Sequence, residues 1–416
     1  MNLDALELEA LVRERRIRTV FQPMVSVKRK AVFAVEALSR GLSRDGKGLV
    51  APGVLFAAAG AAGRRLELDR LCRECALASF QPLHEREKSL ILSINLDVST
   101  LNPESACSRV LLGQVQQYGI DPNNVLIEII ESEVEDTQSL LDFIEFYRAQ
   151  GFLIAIDDIG AGHSNLDRVA FIKPDVIKVD RSLISDIDKG FRKLEITRSL
   201  ASLGRKVGAL VVAEGVERVE EAMQLLELGV DVFQGFYFAR PAPAGEACRK
   251  APQTVNALAE SFKRHRLASI SERRRRHERY EVILRELLRS LENTEHPASP
   301  ESALIGFLTA YPNVECLYVL DEAGLQCSDT ICNPFRIAEH KRFLYQPAQR
   351  GTDHSLKDYF LPLQAGLQRF TTDEYISLAS GNLCTTISAR YLAKDKVARI
   401  ACMDISTGQA DAVGLA

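Results

Sequence analysis

The chain lacks a long apolar run, a charge excess of either sign, an export signal and a glycine-rich dinucleotide motif. Each absence closes off a class of function. Its apolar stretches, such as residues 209–213 and 90–94 (the latter broken by Ser93), fall far short of a membrane span. Net charge is −4 over 416 residues, so bulk electrostatics single out neither nucleic acid nor a membrane surface as partner. The first residues, MNLDALELEALVRERRIRT, are amphipathic and charged, without the apolar core of a signal peptide, and predict a cytoplasmic protein. No GxGxxG opens a helix after the first strand-like run, which argues against a dinucleotide-binding fold. No histidine stands at a strand end, which argues against a His-rich zinc site.

Nine cysteines, an odd number spread over both halves, predict reduced thiols rather than a disulfide framework. Cys72 and Cys75 form a lone CxxC inside LELDRLCRECALASF, where apolar residues recur at helical spacing. A redox or zinc site would need a preceding strand or a second ligand pair, so both read as helix residues.

What is present is ordinary globular material, 46% hydrophobic and 26% charged, in a chain long enough for two cores. From residue 18 to about 238, β-rich runs alternate with helical stretches. TVFQPMVSV, VFAVEALS, SLILSINLD, VLIEIIE, FLIAIDD, VIKVD, ALVVAEGV and VFQGFYF read as strands. TQSLLDFIEFYRAQG, LEITRSLASLGRKVG and VEEAMQLLELG read as helices that end on glycine. Eight strands with helices between them predict a closed (β/α)8 barrel of the TIM type over residues 1–245.

A proline-rich exit at 240–255 leads into a strongly helical linker placed at 246–297. The basic centre of that helix (Lys263, Arg264, Arg266 and Arg273 to Arg276) is balanced by Glu272, Glu278 and Glu281. Without aromatic interleaving it reads as a solvated face rather than a nucleic-acid site. Residues 298–416 change texture: ESALIGFLTAYPN predicts a helix, VECLYVLDEAGLQCSDTI a hairpin around DEAG, and EYISLASGNLCTTISARYL a hairpin around SGN. The expectation is an α+β domain whose Ser328, Thr330, Ser377, Ser380 and Thr385 suit a ligand pocket or ordinary sheet positions equally.

The chemistry lies at the ends of the barrel strands. Glu36, Asn95, Glu128, Asp157 with Asp158, Glu214 and Gln234 each close an apolar run, and Lys178 ends a further one. Strand ends of such a barrel converge on one pocket, and acids gathered there repel one another unless positive charge joins them. Oxygen-only ligands with one amide suit hard divalent cations such as Mg²⁺ or Mn²⁺. A pair of ions about 3.5–4 Å apart is a common device for attack of water on a phosphodiester. Asp157 and Asp158 are adjacent, so both reach one site only where the chain turns, a turn assigned to Gly160 and Gly162. On charge alone, Lys178 is either a structural counter-ion or a partner of the nucleophilic water and phosphate.

QP (22–23), EALSR (36–40), Asn95 in SINLDVS, EIIES (128–132), DDIGAGHSNL (157–166), IKVDRS (177–182), AEGVE (213–217) and QGFYFARP (234–241) resemble, in order and spacing, the EAL-domain phosphodiesterases of bacteria. The resemblance implies hydrolysis of cyclic di-GMP to linear pGpG with two Mg²⁺ or Mn²⁺ ions, Ca²⁺ supporting binding but not turnover. It implies Glu36, Asn95, Glu128, Asp157, Asp158 and Glu214 as metal ligands, with Lys178, Glu214 and Glu36 catalytic. Gln22, Leu38, Arg40 and Gln234 would contact substrate or water, while Glu131, Glu217, Gly160 and Gly162 would organise loops.

The family loop DDFGTGYSSL is altered here, with Ile159, Ala161, His163 and Asn165 replacing its usual residues. Loss of a threonine hydroxyl removes a hydrogen bond worth about 0.5–1.5 kcal/mol, though no metal ligand. Activity is therefore expected to be weak or conditional. The alternative is a cyclic di-GMP receptor without turnover, signalling through the second domain; a barrel lyase stabilising an enediolate shares the acids but not the ordered motifs. Residues 298–416 resemble PAS or Cache sensor domains. That implies a homodimer and an unidentified small-molecule ligand.

Overall fold

A computed structural model describes residues 5–44, 48–97, 109–130, 137–161, 167–297, 299–336 and 346–406. Two compact units divide the chain, Met1–Leu267 and Ala268–Ala416.

The first unit is an eight-stranded closed barrel. Its strands are β1 (Ile17–Ser26), β2 (Ala31–Leu42), β4 (Ile91–Leu96), β5 (Val125–Ile130), β6 (Leu153–Ile159), β7 (Val176–Val179), β8 (Leu210–Ala213) and β9 (Val232–Phe233), while β3 (Leu49–Val50) pairs only with β2. Strands β2 and β4 to β9 run parallel in sequence order. β1 is antiparallel to both β2 and β9 and closes the ring. A plain (β/α)8 pattern would not include that reversed strand. The reversal follows from the short β1–β2 connection, which allows a hairpin but no crossover helix.

Helices cover the barrel because one face of each is apolar. In Thr137–Ala149 the buried residues Leu140, Phe143, Ile144 and Tyr147 repeat at three and four. Cys72 and Cys75 lie on the helix Arg65–Arg86, and the eight described cysteines are all free. No helix among the described residues is long and apolar enough to cross a membrane.

Inside the barrel, Met24, Ala34, Leu126, Ala155, Val176, Val212 and Val232 form a buried apolar plug. Side chains of a strand return to the same face every second residue. Two residues onward from these positions stand Glu36, Glu128, Asp157, Lys178, Glu214 and Gln234, and two residues back on the reversed β1 stands Gln22. The polar layer is thus stacked on the apolar one by strand periodicity alone.

The helix Ala251–Glu292 is 42 residues long. Its first turns belong to the barrel unit, where Ala251, Val255 and Leu258 join the core. The division between the two compact units falls inside this helix, after Leu267. Burial of those three residues is the physical reason. Its basic centre is tied into ion pairs, Arg274 with Glu278 at 2.8 Å and Arg266 with Glu227 at 3.6 Å.

The second unit holds an antiparallel sheet of β10 (Val314–Leu320), β11 (Ile331–Cys332), β12 (Arg369–Thr371), β13 (Tyr375–Ile376), β14 (Leu383–Leu392) and β15 (Ala398–Ser406), in the order β11-β10-β15-β14-β12, with β13 on β14. Leu317 and Val319 face a core with Leu284, Leu287, Leu291 and Phe307. Tyr318 and Leu320 face the other way, toward Tyr359, Phe360 and Leu363. The SGN hairpin is present between β13 and β14. The DEAG segment closes a short turn, with a bridge from Leu320 to Gln326 and the amides of Asp321 and Cys327 donating to the carbonyls of Leu325 (2.9 Å) and Val319 (2.7 Å), after which β10 takes Ile331–Cys332 as its neighbour. Gln326 explains the shift: it is buried, and its amide donates to the Ser328 carbonyl (2.7 Å) and Thr330 Oγ1 (2.9 Å) instead of extending a strand.

Candidate active site

Lys178 stands at the centre of the polar layer. It is 1% exposed, and its Nζ lies 2.6 Å from Glu214 Oε1, 2.8 Å from Glu128 Oε1, 3.2 Å from Asp157 Oδ1 and 4.0 Å from Glu36 Oε2. The carboxylates hold the lysine charged, raising its pKa well above the ordinary value despite the cost of burial.

Glu36 is fixed by two donors. Asn95 Nδ2 donates to its Oε1 at 3.0 Å, and Gln234 Nε2 donates to its Oε2 at 2.5 Å and to Gln22 Oε1 at 3.3 Å. Burial works against its charge, but Lys178 and these donors win and hold it below the usual carboxylate range. Glu128 moves the other way. Fully buried and close to Glu36, Asp157 and Glu214, it is pushed well above the carboxylate range, only partly offset by Lys178. Burial raises Glu214 to about 8 against the pull of Lys178.

Glu36 and Glu128 sit within their strands rather than at the ends, because β2 and β5 continue past them. The two aspartates meet the site by a device absent from the sequence reading. Between Ile156 and Ile159 of β6 the pairing with β7 slips, so that three steps on β6 match two on β7. That β-bulge puts Asp158 at φ 58° and lets its amide donate to Asp157 Oδ1 at 2.9 Å. Gly160 follows at φ 106°, a conformation that L side chains rarely adopt, with Leu183 so close that a β-carbon would lie 2.4 Å from it. Gly162 and Glu131 lie outside the described residues, as does His163.

Oxygens of Asp157, Asp158 and Glu214 come within 4.8 Å of one another. Partial burial, then repulsion from Asp157 and Asp180, raises Asp158 to about 6. Glu128 Oε2 is buried and unpartnered, as is Gln234 Oε1. Unpaired buried acceptors and raised acids around one cavity are what a hard divalent cation would relieve. Among the described residues the donor set consists of carboxylate and amide oxygens, which suit a hard cation over a softer metal.

Two cavities flank the acids and share Glu36, Asp157 and Asp158. One, about 330 Å³, is lined by Gln22, Lys178, Arg181, Glu214 and Gln234. The other, about 400 Å³, is lined by Leu38, Pro52, Phe56, Arg65 and Asn95. Arg40 shares its strand face with Glu36 and Leu38, but its Nη1 donates to the Ser39 carbonyl (2.9 Å), and it lines neither cavity. Glu217 pairs with Arg181 at 3.0 Å instead of joining the Lys178 cluster. Gly235 lets the loop after β9 pass against the Val216 backbone, where a β-carbon would lie 2.0 Å from the carbonyl oxygen.

Ser93 escaped the sequence reading as a site residue. Its hydroxyl donates to Glu128 Oε1 at 2.6 Å from a fully buried position. The signal was available, since Ser93 precedes Asn95 by one strand period.

The EAL-domain family model matches residues 5–241. The chain belongs to the EAL-domain family. Among relatives of this EAL-domain protein, the probable cyclic di-GMP phosphodiesterase PdeI of Escherichia coli is 32% identical over 228 residues, 54% of this chain and 29% of that protein. Cyclic di-GMP phosphodiesterase NbdA of Pseudomonas aeruginosa is 29% identical over 239 residues, 57% of this chain and 30% of that one. The chain thus spans about a third of these relatives' length. YkuI of Bacillus subtilis, an uncharacterised EAL-domain protein, is 25% identical over 378 residues, 88% of this chain and 90% of its own. The crystal structure of YkuI, in complex with substrate c-di-GMP and calcium, aligns over 98% of this chain and 100% of that one with a TM-score of 0.80 and 24% identity, which establishes a shared fold.

Proposed function

We propose that this EAL-domain protein hydrolyses cyclic di-GMP to linear pGpG with two Mg²⁺ or Mn²⁺ ions, and that its C-terminal unit is a PAS- or Cache-like regulator in a cytoplasmic homodimer. The observation that carries the reading is the convergence of Glu36, Glu128, Asp157 and Glu214 on Lys178 between two cavities. The family membership and the activities for which PdeI and NbdA are named support it.

Glu36, Asn95, Glu128 and Asp157 would hold one ion, and Asp157, Asp158 and Glu214 the other. Bound there, the ions supply Lewis acidity toward phosphoryl oxygens and make a bound water acidic enough to attack near neutral pH. The remaining work belongs to the chain. Lys178 presents N–H donors to the attacking water and positive charge to the phosphate. Asn95 and Gln234 fix the orientation of Glu36, Gln22 in turn holds the Gln234 amide, and Leu38 with Phe56 offers an apolar wall for a base beside the acids. Arg40 would reach the ligand from the same strand face.

Mn²⁺-dependent hydrolysis by the full chain, read as linear dinucleotide product, tests the proposal. Glu36→Ala should lower the rate by at least about 100-fold, because even residues that merely orient a ligand cost 10–100-fold. The altered loop after Asp158 is the one feature that favours a receptor, and calorimetry with Ca²⁺ separates that case. Binding with no product in Mn²⁺ would establish the receptor and reject the enzyme.

A further inference from the structure

The C-terminal unit contains a cavity of about 940 Å³ that the barrel chemistry does not use. It falls within the upper range of small-molecule sites. Thr330 and Ser377 line it, while Ser328 is spent on the Val319 amide (3.1 Å) and Ser380 on that of Asn382 (3.2 Å).

One wall is aromatic. The rings of Tyr318 and His354 lie 5.6 Å apart and those of Tyr318 and Tyr359 5.8 Å, with Phe370 and Tyr375 also lining the space. Asp404, 2% exposed, lies among them, its Oδ1 accepting from Thr386 Oγ1 at 2.7 Å and its Oδ2 from Ser377 Oγ at 3.4 Å. Among the described residues, four exposed acids, Asp353, Asp358, Asp373 and Glu374, line the cavity against one lysine, Lys357. Among the described residues none of these five acids pairs with a lysine or arginine.

His354 supplies an independent observation. It is 7% exposed and lines the cavity; its Nδ1 lies 2.6 Å from Tyr359 Oη, and its buried Nε2 has no partner. Whichever of the two donates in that bond, Nε2 is left as an unfilled polar atom beside the aromatic rings. A buried carboxylate, an acid-rich lining and a wall of aromatic rings together match one chemistry, a positive nitrogen on an organic skeleton. A metal ion fits less well, because no three ligand atoms near this cavity cluster among the described residues. An anion would face the acidic lining.

We propose that this cavity binds a small organic cation, an amine or quaternary ammonium compound whose nitrogen sits between Asp404 and the aromatic wall. Asp404 is pushed up to about 7, by burial first and Glu315 second, so an arriving cation meets a group that ionises readily near neutrality. The inference stands apart from the barrel reading, since it uses none of that site's residues.

Calorimetry on the full chain tests it with tetramethylammonium, choline and putrescine. Controls are 3,3-dimethylbutan-1-ol, the uncharged shape of choline, and succinate. At least one ammonium compound should bind tenfold or more tighter than both controls. Asp404→Asn, with an unchanged far-ultraviolet spectrum and a cooperative melt, should weaken it tenfold or more. The exposed double change Asp373→Asn with Glu374→Gln cannot disturb the core, and should weaken binding severalfold and flatten its salt dependence. Failure of all three ammonium compounds, equal binding of the uncharged control, or unaltered affinity in both variants would overturn the proposal.

Discussion

At the scale of single residues, the barrel is governed by one ammonium among five carboxylates. Glu36, Glu128, Asp157, Asp158 and Glu214 cannot all ionise in a buried space where, among the described residues, Lys178 is the one cation within 4.0 Å of them. Removing the lysine while leaving the acids should therefore cost far more than its volume. Lys178→Met is expected to destabilise the metal-free protein by about 3–5 kcal/mol, the usual penalty for stranding buried charge. Adding Glu128→Gln should restore part of that loss, and denaturant melts of both variants in chelator check it.

The same acids give a pH signature with a definite sign. Glu214 titrates near 8 in the folded barrel against 4.5 ordinarily, so between those values the folded state holds a proton that the unfolded chain has released. Its contribution to stability is present at low pH and is lost as pH rises through 8. In chelator, the melting temperature should fall from pH 6 to 8.5, and Mn²⁺ should reduce the fall. Mn²⁺ affinity should rise over the same range as protons leave Glu214 and Asp158. A metal-free melt that rises steadily with pH would contradict the assignment.

At the scale of elements, most of the polar layer is legible because strand periodicity and the position of a residue along its run are sequence properties. An apolar residue and a polar one two steps later place Glu128, Asp157, Lys178 and Glu214 on one inner face. The bulge at Asp157 and Asp158 is not legible, since it exists only in the register between β6 and β7. The short β9 likewise emerges only from pairing, whereas the reversal of β1 is implicit in the short connection from Ser26 to Ala31, which allows only a hairpin. In the C-terminal unit the DEAG turn looks like a hairpin, yet the buried amide of Gln326 redirects the chain after it. Tyr318, His354 and Asp404 are far apart in sequence and form a pocket only once the sheet is assembled.

Gly235 gives the element scale a test. Its neighbour Gln234 holds Glu36, and a methyl group at 235 would strike the Val216 carbonyl. Gly235→Ala should force the loops after β8 and β9 apart, costing about 1–3 kcal/mol as overpacking does, and should lower turnover as Glu36 loses its donor. A melt and a rate both like those of the unaltered protein would show that the loops yield elsewhere.

At the scale of the whole molecule, the helix Ala251–Glu292 is shared by two cores rather than strung between them. Ala251, Val255 and Leu258 are 0–1% exposed in the barrel core, while Leu284, Leu287 and Leu291 are 0–3% exposed in the second. A chain truncated after residue 250 therefore strips the barrel of apolar cover as well as of the C-terminal unit. Burying a valine and a leucine side chain contributes about 1.5–3 kcal/mol each, so that truncation should lose about 3–6 kcal/mol. A chain truncated after Leu267 keeps those turns and should melt close to the intact barrel transition. Comparing the two shortened chains with the full one, by calorimetric melting and by hydrolysis rate, separates stability from regulation. A rate changed equally by both truncations, with only the shorter one unstable, assigns the change to loss of the C-terminal unit. Equal stability of the two would show that the first turns of this helix lend the barrel nothing.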